Sequence, residues 1–441
     1  MSSASQTNHA SPVVAEPNAT TSPLSALKWH MIAEFGKDFS ALLERRKDAA
    51  TRCEIELRIN EACAASSTPM SDAERAALRE QIKHELLGFG PIQPLLEDST
   101  VSEVMVNRAN RVYVERKGKM HLTDVKFEDD AHVRRIIERI LLPLGRHIDE
   151  NNPLVDARLP DGSRVNAVIP PCSVAGPCIT IRKFSAGCLT TDDLVKFGTY
   201  TNAISDFLKA CVLARLNIVV AGGTGSGKTT LLNVLSSFIP FDERIVTIED
   251  AAELKLAQDH VITLEAKRPN RDGSGEVTTR ELVRNALRMR PERIVVGEVR
   301  GGDALDMLQA MNTGHDGSMT TLHANSPRDA ISRIETMTLM GGIDFPIKVV
   351  REQISSAIQL IIQQARLRDG SRKITSITEI AGMEGDKVVL QELFHFKEEG
   401  ADAQGKTIGQ LRAAGIRPRF MPKLEAAGFK VQPDFFTPVR R

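Results

Sequence analysis

The sequence has little of several features that would point directly to a function. Only 4% of its 441 residues are aromatic, with one Trp and two Tyr, so we do not expect base-stacking platforms to dominate the surface. Lysine plus arginine and aspartate plus glutamate number 57 each. This balance argues against a chain that binds polyanions as a whole, although it does not exclude a local basic patch.

Paired cysteines and long apolar runs are also missing. The six cysteines include no CxxC pair, so zinc binding and a disulfide framework are both poor interpretations, and we interpret the cysteines as thiols. No apolar run approaches the length of a membrane span. The N-terminal residues have no basic stretch followed by an apolar one, so we expect no secretion signal.

Composition changes along the chain and predicts separate segments. Residues 1–25 are rich in Ser, Thr, Pro, Ala and Asn, and they are predicted to be disordered because they cannot bury enough apolar surface to offset their ordering entropy. Residues 26–88 have apolar residues at helical spacing, which predicts an N-terminal helical region. Within it, Ser71 and Glu74 form a capping-box pattern, and Gly88 stands where that helix should end.

The remaining segments predict two folded domains. Residues 89–184 combine alternating strands with one amphipathic helix, which predicts a small α+β domain. We interpret residues 185–201 as a linker. Over residues 202–396 strands and helices take turns, which predicts an α/β core with a mostly parallel sheet, and the last strands are expected to form an antiparallel extension. Residues 397–441 form a mildly basic tail. The predicted core strands are NIVVAG, RIVTIED, HVITLEA, RIVVGEV and SMTTLHA.

The stretch GGTGSGKT fits the phosphate-binding pattern G-x-x-x-x-G-K-[ST]. Its glycines let backbone N–H groups approach phosphate oxygens, its lysine offers a charge to the β- and γ-phosphates, and the threonine after it offers a hydroxyl to Mg²⁺. A predicted strand precedes the stretch and a predicted helix follows it, which is the context that a P-loop requires. ATP and Mg²⁺ are therefore the expected ligands. The predicted nucleotide-binding residues are Gly222, Gly223, Thr224, Gly225, Ser226, Gly227, Lys228, Thr229 and Thr230.

A P-loop hydrolase also needs carboxylates for the metal and for the attacking water. Glu298 ends the strand RIVVGE, with Gly297 where many such enzymes carry an aspartate, and Glu249 ends the strand RIVTIE. Ligands of a doubly wound sheet bind beyond the carboxyl ends of its strands. We therefore expect Glu298, with Thr229, to support Mg²⁺ and its bound water, and Glu249 to orient or deprotonate the attacking water.

His323 ends another strand of the same predicted sheet, in the stretch SMTTLHA. Taken alone, a histidine beside a leucine is more often a packed structural residue than a ligand contact. At the carboxyl end of a core strand, however, its side chain is predicted to face the nucleotide as a phosphate sensor or hydrogen-bond donor.

The order of Walker A, acidic box, Walker B and histidine box resembles the secretion ATPase superfamily, whose members power type II secretion, type IV pili and type IV secretion. The stretches RIVTIEDAAEL, RIVVGEVRGGDALD and GIRPRF look like those of the CpaF (tight adherence, or Flp, pilus) branch. The resemblance covers most of residues 85–425, while residues 1–70 lie outside it or match weakly. Asp303 and Met319 stand where that branch is expected to have Glu and Leu.

This resemblance implies a RecA-like P-loop core in a cytoplasmic homo-hexameric motor. Such a motor docks on an inner-membrane platform protein and drives pilin extraction and insertion, and some relatives also power retraction. The resemblance further implies that arginines of the small domain act on the nucleotide. A motor needs an arginine to neutralise the transition state, and the core offers others in and near RMRPER. The preferred candidates are Arg158, Arg164 and Arg182.

Three alternatives stay open. Within the same superfamily, the chain is also similar to a type IV secretion ATPase. A hexameric helicase or packaging ATPase shares the core fold, although neutral charge and few aromatics disfavour a nucleic-acid motor. A nucleotide-gated scaffold without turnover is disfavoured by the intact set of Lys228, Glu249 and Glu298.

Overall fold

The computed structural model describes residues 23–38, 48–116, 118–184, 189–269, 273–342, 345–403, 405–429 and 432–438. The chain divides into two compact units between Phe184 and Ser185. Most of the segment predicted to be disordered, residues 1–25, lies outside the described residues. Its last three residues differ from that prediction, because a helix begins at Pro23 and Ser25 donates a 2.9 Å hydrogen bond to Glu128.

Three helices open the first unit: α1 (Pro23–Asp38), α2 (Ala49–Ala65) and α3 (Asp72–Leu87). They bury a shared apolar face that includes Phe35, Ile59 and Ile82. The predicted capping box of α3 is confirmed, since Ser71 and Glu74 satisfy each other's backbone N–H groups, and the helix ends at Gly88 as predicted. This cap fixes the start of α3 by pairing donors that would otherwise have no partner in the helix.

The rest of the first unit is an antiparallel sheet with a helix on one face. After a 3₁₀ turn and the short helix α4 (Gln93–Glu97), the chain forms strands in the order β3-β2-β1-β6-β5-β4. Alternate residues such as Val165 and Ala167 point into the core against Ile136 and Ile140 of α5. The elements are β1 (Val101–Arg108), β2 (Arg111–Arg116), β3 (Lys119–Leu122), α5 (Asp130–Leu141), β4 (Leu154–Arg158), β5 (Arg164–Val168) and β6 (Cys178–Arg182).

The second unit is a nine-stranded sheet in the order β15-β14-β13-β12-β7-β11-β10-β8-β9. Neighbouring strands from β12 to β9 are parallel, and those from β12 to β15 are antiparallel. The strands are β7 (Ile218–Gly222), β8 (Ile245–Glu249), β9 (Val261–Glu265), β10 (Arg293–Val296), β11 (Met319–His323), β12 (Leu360–Arg366), β13 (Arg372–Glu384), β14 (Lys387–Ala401) and β15 (Thr407–Ala413).

Helices follow the parallel strands and bury apolar residues on both faces of the sheet. One strand, β11, lies between β7 and β10, as in a RecA-like core. The predicted α/β fold class, a RecA-like core preceded by a small α+β domain and helices, is confirmed. The helices are α6 (Thr191–Lys196), α7 (Asn202–Leu213), α8 (Lys228–Ser236), α9 (Thr279–Ala286), α10 (Asp303–Asn312), α11 (Pro327–Met340), α12 (Ile347–Ala357) and α13 (Met421–Ala426).

Two segments differ from the predicted linker and tail. Residues 189–201 contain α6, and Leu194 and Tyr200 are buried in the core of the second unit. Residues 397–438 contain the end of β14, all of β15 and α13, with Leu424 fully buried. Apolar side chains spaced along both segments explain the difference, because burial depends on where these side chains fall rather than on average composition. Across the residues that the structure describes, no helix has the length and apolar character needed to cross a membrane.

Candidate nucleotide-binding site

The predicted P-loop joins the end of β7 to the start of α8. All five residues of β7 are buried between the parallel strands β11 and β12. Gly225 and Gly227 have φ angles of 69° and 95°, in the left-handed region that glycine adopts without strain. This turn places the first N–H groups of α8 at the carboxyl edge of the sheet. N–H groups at a helix N-terminus, with the positive end of the helix dipole, form an anion-binding cradle.

Lys228 is held against the loop that precedes it. Its side chain is 7% exposed, and Nζ donates a 3.0 Å hydrogen bond to the carbonyl oxygen of Gly223. The same Nζ lies 3.4 Å from Nδ1 of His323. Ser226 Oγ also donates to the Gly223 oxygen, at 2.9 Å. The buried ammonium is thus solvated by loop atoms that phosphate oxygens can replace.

A chain of alternating charges extends from His323 across the carboxyl edge of the sheet. His323 Nε2 lies 2.8 Å from Oε1 of Glu298, and the other oxygen of Glu298 accepts hydrogen bonds of 2.9 and 2.6 Å from Arg300. Arg300 Nη1 lies 3.3 Å from Oδ2 of Asp250. The structure therefore links the predicted Walker A lysine, histidine and Walker B acid in one network, and Arg300 extends it to the acidic box after β8.

Glu249 is bound differently from Glu298. It is 4% exposed, and its carboxylate accepts backbone hydrogen bonds of 2.9 Å from Glu253 and 3.2 Å from Leu254. Its Cγ would lie 2.7 Å from a Cβ added at Gly297. An aspartate cannot occupy position 297 without displacing Glu249, which explains the glycine in the Walker B strand.

Electrostatics in the network set the charge of His323. Burial lowers the pKa of His323, the neighbouring Lys228 lowers it further, and Glu298 opposes both effects. Because the Lys228 ammonium can only donate, Nδ1 of His323 must accept, which requires a neutral ring with its proton on Nε2. Hydrogen bonding to Glu298 raises the pKa of Arg300. His323 therefore connects the lysine to the acid without carrying a charge itself.

The three candidate arginines of the first unit lie in one row. Arg158 pairs across the strands with Arg164, Arg164 pairs with Arg182, and Arg182 pairs with Glu103. Residues directly opposite each other in an antiparallel pair share a face, and like charges in that position destabilise the sheet. Arg158 also lies over the Phe184 ring, 5.8 Å from its centroid. The structure thus brings these arginines together, in a different unit from the P-loop.

Two further arginines lie beside the P-loop and were not predicted from the sequence. Nε of Arg372 donates a 2.9 Å hydrogen bond to the carbonyl oxygen of Gly225, and Nη1 of Arg366 lies 3.8 Å from the position of a Cβ at Gly225. Gln364 of β12 pairs with Gly222 of β7. The rule that ligands bind beyond the carboxyl ends of parallel strands applies equally to β12, and it would have pointed to the basic residues after Gln364.

A glycine-rich loop between a buried strand and a helix, with acids at the carboxyl ends of neighbouring strands, defines a P-loop ATPase, and this chain is an ATP hydrolase. More particularly, the chain belongs to the Type II/IV secretion system protein family, which matches residues 85–416.

Individual relatives agree with this family. A protein of Mycobacterium tuberculosis, provisionally named a conjugal transfer protein, is 38% identical over 322 residues, which cover 72% of this chain and 91% of that protein. The type IV secretion system protein VirB11 of Bartonella henselae is 33% identical, with 68% of this chain and 93% of that protein covered.

A solved structure of a related protein also matches this chain. The VirB11 ATPase of the Brucella suis type IV secretion system, in complex with sulphate, has 31% sequence identity with this chain. The match covers 65% of this chain and 94% of that one, with a TM-score of 0.36.

Proposed function

We propose that the chain is a Mg²⁺-dependent motor that works as a homo-hexamer in the cytoplasm and drives tight-adherence pilus assembly, with retraction as a second proposed activity, through inner-membrane platform proteins. Three things support this proposal: the ATPase site, membership of the secretion family, and the similarity of the acidic and Walker B boxes to the CpaF branch. The chain would reach the membrane through partner proteins.

The network of side chains from Lys228 to Asp250 is the observation that best supports the proposed ATP turnover. Phosphate oxygens can replace the Gly223 carbonyl and His323 as partners of Lys228. Losing that contact would release His323 and its acid partner Glu298. Binding at the P-loop would thereby be coupled to Glu298, which follows the second strand from β7, as a motor that senses its nucleotide requires.

The residues at the P-loop suit Mg²⁺ that is held together with nucleotide phosphates. Among the described residues, no group of three or more His, Cys, Asp or Glu side chains could hold a metal without other ligands. Mg²⁺ in nucleotide sites commonly needs only one or two protein oxygens, with phosphates and water as the rest. The hydroxyl of Thr229 and the carboxylate of Glu298 are oxygen donors of this kind. The ion would neutralise charge on the phosphates.

The division of work between the two acids is part of the proposal. Glu249, whose carboxylate is fixed by two backbone donors, would orient or deprotonate the attacking water, and Glu298 would support the metal and its water. In the sheet, β10 is separated from β7 by one strand and β8 by two, so Glu298 follows the strand nearer to the P-loop.

The arginine row of the first unit is proposed to contribute to turnover. Arg158, Arg164 and Arg182 lie side by side on neighbouring strands of one sheet. Transferring phosphoryl groups develop the kind of charge that an arginine stabilises.

A second candidate function is supported by the relatives, whose names refer to conjugal transfer and type IV secretion. An experiment in the organism that encodes the chain separates the two candidates. Lys228→Ala is introduced into the native gene, and surface pilin and transfer of DNA or protein to recipient cells are both measured. Loss of surface pilin with normal transfer supports the pilus motor, and the opposite result supports secretion.

A nucleic-acid motor is tested with the purified protein. We expect neither single- nor double-stranded DNA to raise the ATPase rate by more than about twofold, because the chain has few aromatics and no excess positive charge. A large stimulation by DNA would replace the motor proposed here with a translocase.

A further inference from the structure

The hairpin formed by β12 and β13 brings a basic turn against the P-loop. Four of the eight residues from 366 to 373 are basic and one is acidic. Arg366 and Arg372 are cross-strand partners at the end of the hairpin. Because β12 runs parallel to β7, with Gln364 opposite Gly222, both arginines leave the sheet at the edge where the P-loop turns.

Both arginine side chains lie against the glycines of the loop. Arg372 donates from Nε to the Gly225 carbonyl at 2.9 Å, and a Cβ added at Gly227 would lie 3.1 Å from Cδ of Arg372. A Cβ added at Gly225 would lie 3.8 Å from Nη1 of Arg366. The hairpin therefore contacts the two positions of the loop that have positive φ angles.

The Arg372 hydrogen bond acts on the peptide group that joins Gly225 to Ser226. A guanidinium that binds the Gly225 carbonyl holds that oxygen away from the cradle, and it polarises the peptide bond to Ser226. The N–H of Ser226 becomes a stronger donor, because hydrogen bonds in a chain polarise one another. Charge-assisted bonds of this kind are about twice as strong as neutral ones.

The position of the hairpin indicates which part of the nucleotide it serves. His323 and Glu298 lie on the β11 side of β7, where the charge network would meet the γ-phosphate. The strand β12 lies on the opposite side of β7. The hairpin is thus placed toward the α- and β-phosphates, which ATP and ADP share.

We propose that Arg372 is a positioning residue that fixes the P-loop for phosphate binding, and that Arg366 adds positive charge toward the α- and β-phosphates. The hairpin then sets the affinity for ATP and ADP alike and contributes little to the chemical step. This inference depends on the ATPase activity alone, so the pilus and secretion candidates can both fail without affecting it.

The test uses the full chain with Arg372→Ala, Arg366→Ala and, as the matched control, Arg368→Ala. Arg368 is an exposed residue in the turn of the same hairpin and makes no hydrogen bond or ion pair within the part of the chain that the structure describes. KM and kcat are measured for ATP, and Kd is measured for a fluorescent ADP analogue. We expect Arg372→Ala to raise KM and Kd about tenfold while kcat changes less than about twofold, since only uniform binding is lost.

Two further measurements separate positioning from a structural role. Amide hydrogen exchange of residues 223–227 in the nucleotide-free protein should speed up in Arg372→Ala and stay unchanged in Arg368→Ala. Arg372→Lys, which keeps the charge, should recover part of the ADP affinity. If Arg372→Ala does not fold, KM and Kd of Arg372→Lys and Arg366→Ala are compared with those of Arg368→Ala instead. Unchanged KM and Kd, an equal rise in Arg368→Ala, or a loss confined to kcat would each overturn the proposal.

Discussion

Lys228 keeps its buried ammonium paired with a backbone carbonyl and a neutral histidine. The hydrogen bonds of Lys228 to these two partners are weaker than bonds to phosphate oxygens, because contacts between an ammonium and an anion are the stronger ones. Phosphate oxygens can therefore replace both partners. The side chain of Lys228 is thus already positioned at the P-loop before phosphate binds. Removing this one side chain therefore tests the P-loop.

We expect Lys228→Ala to abolish ATP turnover while the fold is kept, because the Lys228 ammonium contacts a loop carbonyl and His323 at the edge of the sheet and not the apolar core. The measurement is steady-state phosphate release, with circular dichroism and thermal unfolding as controls for folding. A well-folded Lys228→Ala protein with a near-normal ATPase rate would contradict the assignment of the site.

The two acids should separate when each is changed to its amide. Glu249→Gln keeps the shape of a side chain that accepts backbone N–H groups, and it is expected to bind ATP while turnover falls about 10²–10⁴-fold, the usual contribution of a general base. Single-turnover hydrolysis and retention of bound ATP are measured for Glu249→Gln and Glu298→Gln in parallel. If Glu298→Gln retains the nucleotide and Glu249→Gln hydrolyses normally, the roles are reversed.

The closeness of three candidate site residues was predictable, because each lies at or just beyond the end of a core strand or its loop. Lys228, Glu298 and His323 come together because parallel strands end at one edge. The link from Arg300 to Asp250 was not predictable, since it depends on which strands are neighbours in the sheet. Arg372 was missed for a similar reason, because it reaches the P-loop only after the chain turns back at the end of β12.

At the scale of elements, the C-terminal strand and helix complete the core of the second unit. Phe420, Phe435 and Phe436 pack around Phe207 of α7 and Phe394 of β14, with ring centroids 5.1–6.3 Å apart. Aromatic pairs in such arrangements add to the gain from burying their surface. The basic residues of the predicted tail, residues 397–441, therefore describe only its exposed surface. Its apolar residues pack into the core of the second unit.

Leu424→Ala should destabilise the second unit by about 3 kcal/mol, because removing a fully buried leucine leaves a cavity. Ile408→Ala, on a half-exposed side chain of β15, is the control and should change stability by less than about 0.5 kcal/mol. Urea unfolding followed by circular dichroism gives both values. Equal, small effects would mean that α13 is only loosely attached.

At the scale of the whole molecule, the division between the two units separates the P-loop from the arginine row. The strand and helix alternation of the core, and the alternating strands of the small domain, were predictable from hydrophobic periodicity. All five predicted core strands are present as β7 to β11. The helix in the predicted linker and the folded tail were not predictable, because short elements are stabilised by contacts with distant residues such as Phe207.

The arginine row offers a test of how the units cooperate. Arg164→Ala and Arg182→Ala should leave ATP binding and assembly intact, while turnover falls at least about tenfold in one of them, within the range expected for a catalytic arginine. Asn166→Ala, on the same face of β5, is the control and should retain its turnover.

Mixing shows which chain each arginine serves. If an affected variant regains turnover when it is mixed with Lys228→Ala, the arginine acts on a neighbouring chain, and if it does not, the arginine acts on its own. Loss of ATP binding in Arg164→Ala and Arg182→Ala would instead assign the row to stability.

The packing of Phe207 against Phe436 also has a consequence for synthesis. The first unit is complete once Phe184 has left the ribosome, and it can fold while the second unit is still being made. The second unit cannot complete its core until Phe435 and Phe436 have emerged. Its apolar helices stay incompletely packed until then, because the contact with Phe207 joins residues near the two ends of the unit. A ribosome that pauses late in the message would therefore expose an unfinished core to chaperones and proteases, attached to a first unit that has already folded.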